Sequence, residues 1–304
     1  MKQYLQMFIC IGSCFILLPI LIIHLSGVEM GSKSMQSMVI GEQEVQEEQD
    51  IITEETLIGI LAKEIPYTYE IESIKAQAVV ARTYMARRIL GIQKDGAIVG
   101  YTVDEMKALW GEEQFHEIYS IYQEAVQATR RQLIMYDNKP IEALYHEASS
   151  GRTRDAASIY KQDIPYLKSV ESAVDKVTQQ IQYSKKEIVE RLKESYPSLV
   201  VETDTLESQI QIVKKDEADY ITAIQIGNIT LSGEVFKKIL DLPSCAFKIY
   251  HSGEDIIFDV KGSGNGIGLS LNGANELAKQ GMLYDGILHY YYTGITIENY
   301  EVQL

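Results

Sequence analysis

The sequence predicts an α+β domain of mixed helices and antiparallel strands, and three observations carry that prediction. Two strongly periodic helices lie close together, the first ending at Glu64 and the second running from Ile71 to Ile89. Short alternating runs separated by turn residues follow near 132–146 and 246–260. A stretch of alternating glycines over 262–268 then leads into a further helix that ends at Gly281.

Each element has its own signal. Thr53 suits an N-cap, and Glu54 and Glu55 fall in the first turn, where the helix dipole favours acids. Leu57, Ile60, Leu61 and Glu64 recur at helical spacing, and Leu57 and Glu64, seven apart, share a line along the helix. Glu64 therefore points with the apolar stripe, and Pro66 stops the helix just after it. Burial and the negative end of the dipole both disfavour a charged carboxylate there, which suits a general acid. Taken alone, the same pattern also fits a glutamate turned out to solvent at a frayed end. The second helix has the stripe Ile71, Ile74, Ala78, Ala81, Met85 and Ile89. Lys75 and Arg82 share a second face, and Gln77 and Tyr84 a third. Taken alone, those are ordinary surface positions.

A helix is expected from about Asp104 to Thr129, bent near Gly111, and then a hairpin pairing 132–136 with 141–146 around Asp137-Asn138-Lys139-Pro140. The second strand runs into Tyr145-His146-Glu147-Ala148-Ser149-Ser150-Gly151-Arg152-Thr153, a tight polar loop whose backbone can approach a ligand. Ser184 and Glu187 have capping-box spacing for a helix over 185–196. Strands over 219–231, a short helix over 231–240 and a hairpin over 246–260 complete the series, with a smaller α/β subdomain expected at about 171–245. The run Gly262-Ser263-Gly264-Asn265-Gly266-Ile267-Gly268 lacks the spacing of a dinucleotide fingerprint, the Gly-Lys-Ser/Thr of a P-loop and the Gly-x-Ser-x-Gly of a nucleophile elbow. It suits backbone that packs closely on a substrate or on another strand.

The chain's 304 residues allow a sizeable core, and 46% of them are apolar. A net charge of −15 disfavours nucleic acid as a partner. Twenty tyrosines fit sugar recognition, and fit cores equally. Cys10 and Cys14 lie in the apolar N-terminal run and Cys245 stands alone, so neither a disulfide in the folded part nor a cysteine zinc site is expected. Residues 5–25 form an apolar run long enough to cross a bilayer. With Lys2 before it, the positive-inside rule puts residues 1–4 in the cytoplasm and the bulk outside. Residues 26–50 read as a flexible acidic tether, and 51–304 as the extracytoplasmic domain.

Glu64-Ile65-Pro66, a short spacer, and Ile74-Lys75-Ala76-Gln77-Ala78-Val79-Val80-Ala81-Arg82-Thr83-Tyr84 resemble the signature of the stage II sporulation protein D family. Those proteins are peptidoglycan lytic transglycosylases of endospore-forming bacteria. The resemblance covers about residues 51–300. It implies a glycan-binding groove, Glu64 as the catalytic acid/base, and cleavage of the MurNAc–GlcNAc bond to a 1,6-anhydro product. It also implies substrate contacts from Lys75, Gln77, Arg82, Tyr84, His146, Ser149, Asn265 and Ser270. No metal and no cofactor are expected, because the segment 99–105, where some relatives carry a Cys/His zinc site, has neither residue. The implied partners are glycan strands, the cell membrane through residues 5–25, and stage II sporulation proteins P and M during forespore engulfment. Three departures stand out: Arg154 where the family tends to have Glu, Asn265 at a His position, and Leu271-Asn272 for Gln-Tyr. They leave open a catalytically impaired, glycan-binding scaffold. A wall amidase or peptidase would need a metal cluster or a Cys/His pair that the sequence does not offer.

Overall fold

Thr53 begins the folded chain as the sequence predicts: its hydroxyl accepts the Thr56 N–H at 3.0 Å and starts α1, Glu54–Glu64. A computed structural model describes residues 53–93, 99–175 and 177–300, all within one unit that spans Asp50–Leu304. The candidate membrane span over 5–25 and the acidic tether lie outside the described residues. Among the described residues no helix is long and apolar enough to cross a membrane.

Helix α2, Ile71–Ile89, is buried nearly all round; Ser73, Gln77, Arg82 and Thr83 are inside along with the apolar stripe. It is the central rod of the first core, which α1, α3 (Val103–Ala128) and two C-terminal helices, α8 (Leu271–Lys279) and α9 (Tyr284–Tyr291), surround. Gly111, at φ 74°, kinks α3 where expected. The capping box that the sequence reading missed sits here. Thr102 accepts the Glu105 N–H at 3.2 Å, and Glu105 accepts the Thr102 N–H at 2.8 Å. Thr102→Ala is expected to cost about 1 kcal/mol in a urea titration; an unchanged midpoint would show that the box contributes nothing. At α5, Lys185–Ser195, only half of the predicted box forms. Ser184 accepts the Glu187 N–H, while the Glu187 carboxylate turns to Arg191 at 2.9 Å.

The hairpin expected over 132–146 is shorter than its pattern. Strand β1, Gln132–Tyr136, pairs antiparallel with only two residues of β2, Lys139–Pro140, and takes β11, Thr296–Asn299, on its other side. Proline cannot extend the ladder, and the chain leaves to form β3, Tyr145–His146. That strand pairs in parallel with β10, Leu269–Ser270, far along the sequence.

A second core draws on residues 181–260. One sheet has the order β4 (Thr178–Ser184), β9 (Asp255–Lys261), β8 (Phe247–Ser252), so the predicted hairpin over 246–260 completes a layer that 171–245 only begins. The other is β5 (Ile210–Lys215), β6 (Ile221–Ile226), β7 (Ile229–Leu231), with α7, Gly233–Ile239, packed behind it. Short helices α4, Ala157–Tyr160, and α6, Leu206–Gln209, lie in the connections.

The alternating glycines pack closely on the chain itself, and Gly266 brings the first core against the second. At Gly268, φ is 74° and a Cβ would lie 1.9 Å from the Leu144 carbonyl oxygen. At Gly266, φ is 78° and a Cβ would meet the Tyr220 ring at 2.5 Å. The close approach these two glycines permit is to Leu144 and Tyr220 of the chain itself.

Candidate functional site

Glu64 ends α1 because Pro66 forbids another turn. The Ile65 N–H closes the helix on Leu61, and the Ile65 carbonyl accepts the Tyr122 hydroxyl of α3 at 2.7 Å, which fixes where the last side chain points. The half-buried Glu64 carboxylate then accepts the Tyr145 hydroxyl at 2.8 Å. Burial, and then the Glu64 charge, push the Tyr145 pKa up, so that hydroxyl keeps its proton and stays a donor.

Glu64 opens onto a pocket of about 350 Å³, at the small end for ligand sites. Tyr67, Tyr69, Trp110, Glu147 and Leu271 line it with Glu64. Trp110 stacks on Tyr122 with ring centroids 6.1 Å apart, which makes one wall aromatic. Such a wall, with carboxylates at the edge, suits a sugar ring with apolar faces and polar rims. Lys63 also borders the pocket, but its ammonium donates to the Val99 carbonyl at 3.1 Å. Tyr69 has its pKa raised by burial and by the Glu147 charge.

Of the nine residues that the sequence put forward, Glu64 is the one in this lining. Lys75 pairs with Glu72 at 2.7 Å, and Glu72 in turn accepts the Tyr284 N–H at 2.9 Å. Glu72 is thereby part of the seam between α2 and α9. Gln77 is fully buried in α2. Arg82 is buried and donates to the carbonyls of Val126 and Thr129 at 3.1 and 2.8 Å, holding the end of α3. Burial lowers its pKa to about 10, still well above neutrality. Tyr84 is half-buried and near enough to add to the Tyr145 shift. His146 is buried and bonds the Ile267 carbonyl through Nδ1 at 3.0 Å; burial lowers its pKa to about 4, so it is neutral at pH 7. Ser149 donates to Asp175 at 2.7 Å. Asn265 turns its Oδ1 to the Ile267 N–H at 3.0 Å. Ser270 caps α8 by accepting the Gly273 N–H at 3.1 Å.

The departures fall in informative places. Leu271 lines the pocket, and Asn272 donates to Asp175 at 3.0 Å. Asp175 also receives Ser149 and Ser172, so it is the centre of a buried polar network that the sequence reading missed. Tyr145, Tyr69, Trp110 and Glu147 were missed too. Among the described residues no group of three His, Cys, Asp or Glu side chains is placed to hold a metal ion.

Comparison with known proteins gives a consistent set. The SpoIID family model, described as Stage II sporulation protein, matches residues 41–136. The chain is 31% identical over 290 residues to the stage II sporulation protein D of Bacillus subtilis (strain 168), covering 91% of this chain and 83% of that protein. It is 30% identical over 261 residues to the protein of that name from Bacillus amyloliquefaciens, covering 82% and 75%. It is 22% identical over 301 residues to a Bacillus subtilis (strain 168) protein named amidase enhancer, covering 80% of this chain and 40% of that one.

Proposed function

The chain belongs to the stage II sporulation protein D family, and from that premise we propose that it is a sporulation protein acting on the cell wall as a lytic transglycosylase. The observation that carries the proposal is the Glu64 carboxylate, held by the Tyr145 hydroxyl at the mouth of an aromatic-walled pocket. Glu64 protonates the glycosidic oxygen that leaves C1 of N-acetylmuramic acid. The C6 hydroxyl of the same sugar, rather than water, then closes on C1 to form the 1,6-anhydro ring. Hydrolytic glycosidases place a second carboxylate to activate water or to attack; here the sugar supplies the nucleophile. Residues 5–25 anchor the domain with the N-terminus in the cytoplasm and the bulk on the wall side, at the septal or engulfing membrane. Stage II sporulation proteins P and M are its proposed partners. Substrate contacts from Lys75, Tyr84 and Asn265, which are partly exposed, belong to the same proposal; Gln77, Arg82, His146, Ser149 and Ser270 are buried in the protein's own packing and are left out of it.

A second reading, a glycan-binding scaffold with impaired catalysis, draws on Leu271, which sets an apolar side chain into the pocket. One experiment separates the two. The full-length chain, in detergent, is incubated with glycan strands freed of stem peptides, and the products are analysed by mass spectrometry. Anhydro ends support the enzyme. Retention of strands with no new ends overturns it in favour of the scaffold. Tyr145→Phe is expected to lower kcat about tenfold with KM little changed, since the hydroxyl stabilises the carboxylate that Glu64 becomes as it gives up its proton, and a hydrogen bond to a charged group is worth about 1.5–3 kcal/mol. An unaltered kcat would remove Tyr145 from the mechanism.

A further inference from the structure

The pocket holds a second carboxylate that the single-acid scheme leaves idle. Glu147 follows β3 by one residue, at a bend between that strand and the bridge that Ala148 makes with Ser263. His146 and Ala148 face inward and are buried, whereas Tyr145 is half-buried and Glu147 exposed. Tyr145 reaches Glu64 through its hydroxyl, and Glu147 lines the same pocket as Glu64. Its carboxylate is held in place, accepting the Ser263 hydroxyl through Oε2 at 2.6 Å. Its charge is felt across the pocket at the Tyr69 hydroxyl. The other titratable groups on this lining are Glu64 and Lys63 from α1, Tyr67 and Tyr69 from the connection to α2, and Tyr122 from α3.

Ring closure moves two protons. One must reach the leaving oxygen, and one must leave the C6 hydroxyl. We propose that Glu147 is a second catalytic carboxylate, taking the C6 proton while Glu64 delivers its own. In that step the C1–O bond to the next sugar breaks and its electron pair takes the Glu64 proton. The C6 oxygen bonds to C1, and its proton passes to Glu147. Solvent then takes the proton from Glu147 and restores that of Glu64. The proposal rests on the transglycosylase reading and divides its chemistry between two groups.

The test uses the full-length chain and a peptide-free glycan, with kcat and KM followed against pH for wild type, Glu147→Gln and Glu147→Asp. Wild type is expected to show a bell-shaped profile. Glu147→Gln is expected to lose the acidic limb and about 10²-fold in kcat, with KM within threefold and an unchanged thermal midpoint. Glu147→Asp is expected to recover part of the rate and the limb. A Glu147→Gln variant with wild-type kcat and both limbs overturns the proposal, as does a loss confined to KM. Products with free reducing ends instead of anhydro ends overturn the C6 hydroxyl as the group that Glu147 serves. A wild type that forms no product overturns the transglycosylase reading, and this proposal with it.

Discussion

Glu64→Gln is expected to lower the rate of anhydro-sugar formation by about 10⁴-fold, the upper end of what general acid–base catalysis supplies. The substitution keeps the side chain's shape and an oxygen that can still accept the Tyr145 hydroxyl, a bond of 2.8 Å in the native chain. It removes only the proton that the leaving oxygen needs. Binding of glycan is therefore expected to persist, with KM changed by less than threefold and an unfolding midpoint within about 1 kcal/mol of wild type. A residual rate within tenfold of wild type would mean that another group protonates the leaving oxygen. The contrast with Glu147→Gln is diagnostic. Losing the acid leaves a poor leaving group, whereas losing a base leaves a hydroxyl that solvent can partly deprotonate.

The place of Glu64 in the pocket lining was legible because its evidence is local: an apolar stripe in register with it and a proline directly behind. The caps at Thr53 and the kink at Gly111 were legible for the same reason. The polar residues of α2 were not. An amphipathic reading sorts them onto an outer face, but α2 has neighbours on nearly every side, so Arg82 goes inward to the carbonyls that end α3. Lys75 likewise serves a seam between helices. Tyr145 and Glu147 were missed because the local pattern predicted a long hairpin. The pairing that places them joins Tyr145 to Leu269, which no local turn signal announces. The glycine run was recognised as a close-packing device, and its partner could be named only from Leu144 and Tyr220 in the fold.

Arg154→Met is expected to destabilise the domain by about 3–5 kcal/mol, because breaking a buried ion pair from one side leaves uncompensated charge. Arg154 is 2% exposed. Its Nε donates to Asp216 at 2.7 Å, its Nη1 donates to Glu234 at 2.6 Å and to the Asn265 carbonyl at 3.2 Å, and its guanidinium lies 4.7 Å from the Tyr220 ring centre. Asp216 lies in the turn between β5 and β6 and Glu234 in α7, so one side chain ties the loop after β3 to the second core. The Asp216 side chain is 9% exposed and Glu234's is 36%. Most of the loss should therefore fall on Asp216, since Glu234 can turn to water. The two acids that face Arg154 supply the opposite charge that a buried guanidinium needs. Arg154→Glu would gather three carboxylates at one buried point and is expected to unfold the domain at lower urea than Arg154→Met. Adding Asp216→Asn to Arg154→Met is expected to restore about 1–2 kcal/mol by removing the stranded charge. Urea midpoints of the three variants measure each step. If Arg154→Met costs less than 1 kcal/mol, or the second substitution restores nothing, the link between the cores rests on the packing of Gly266 against Tyr220 instead.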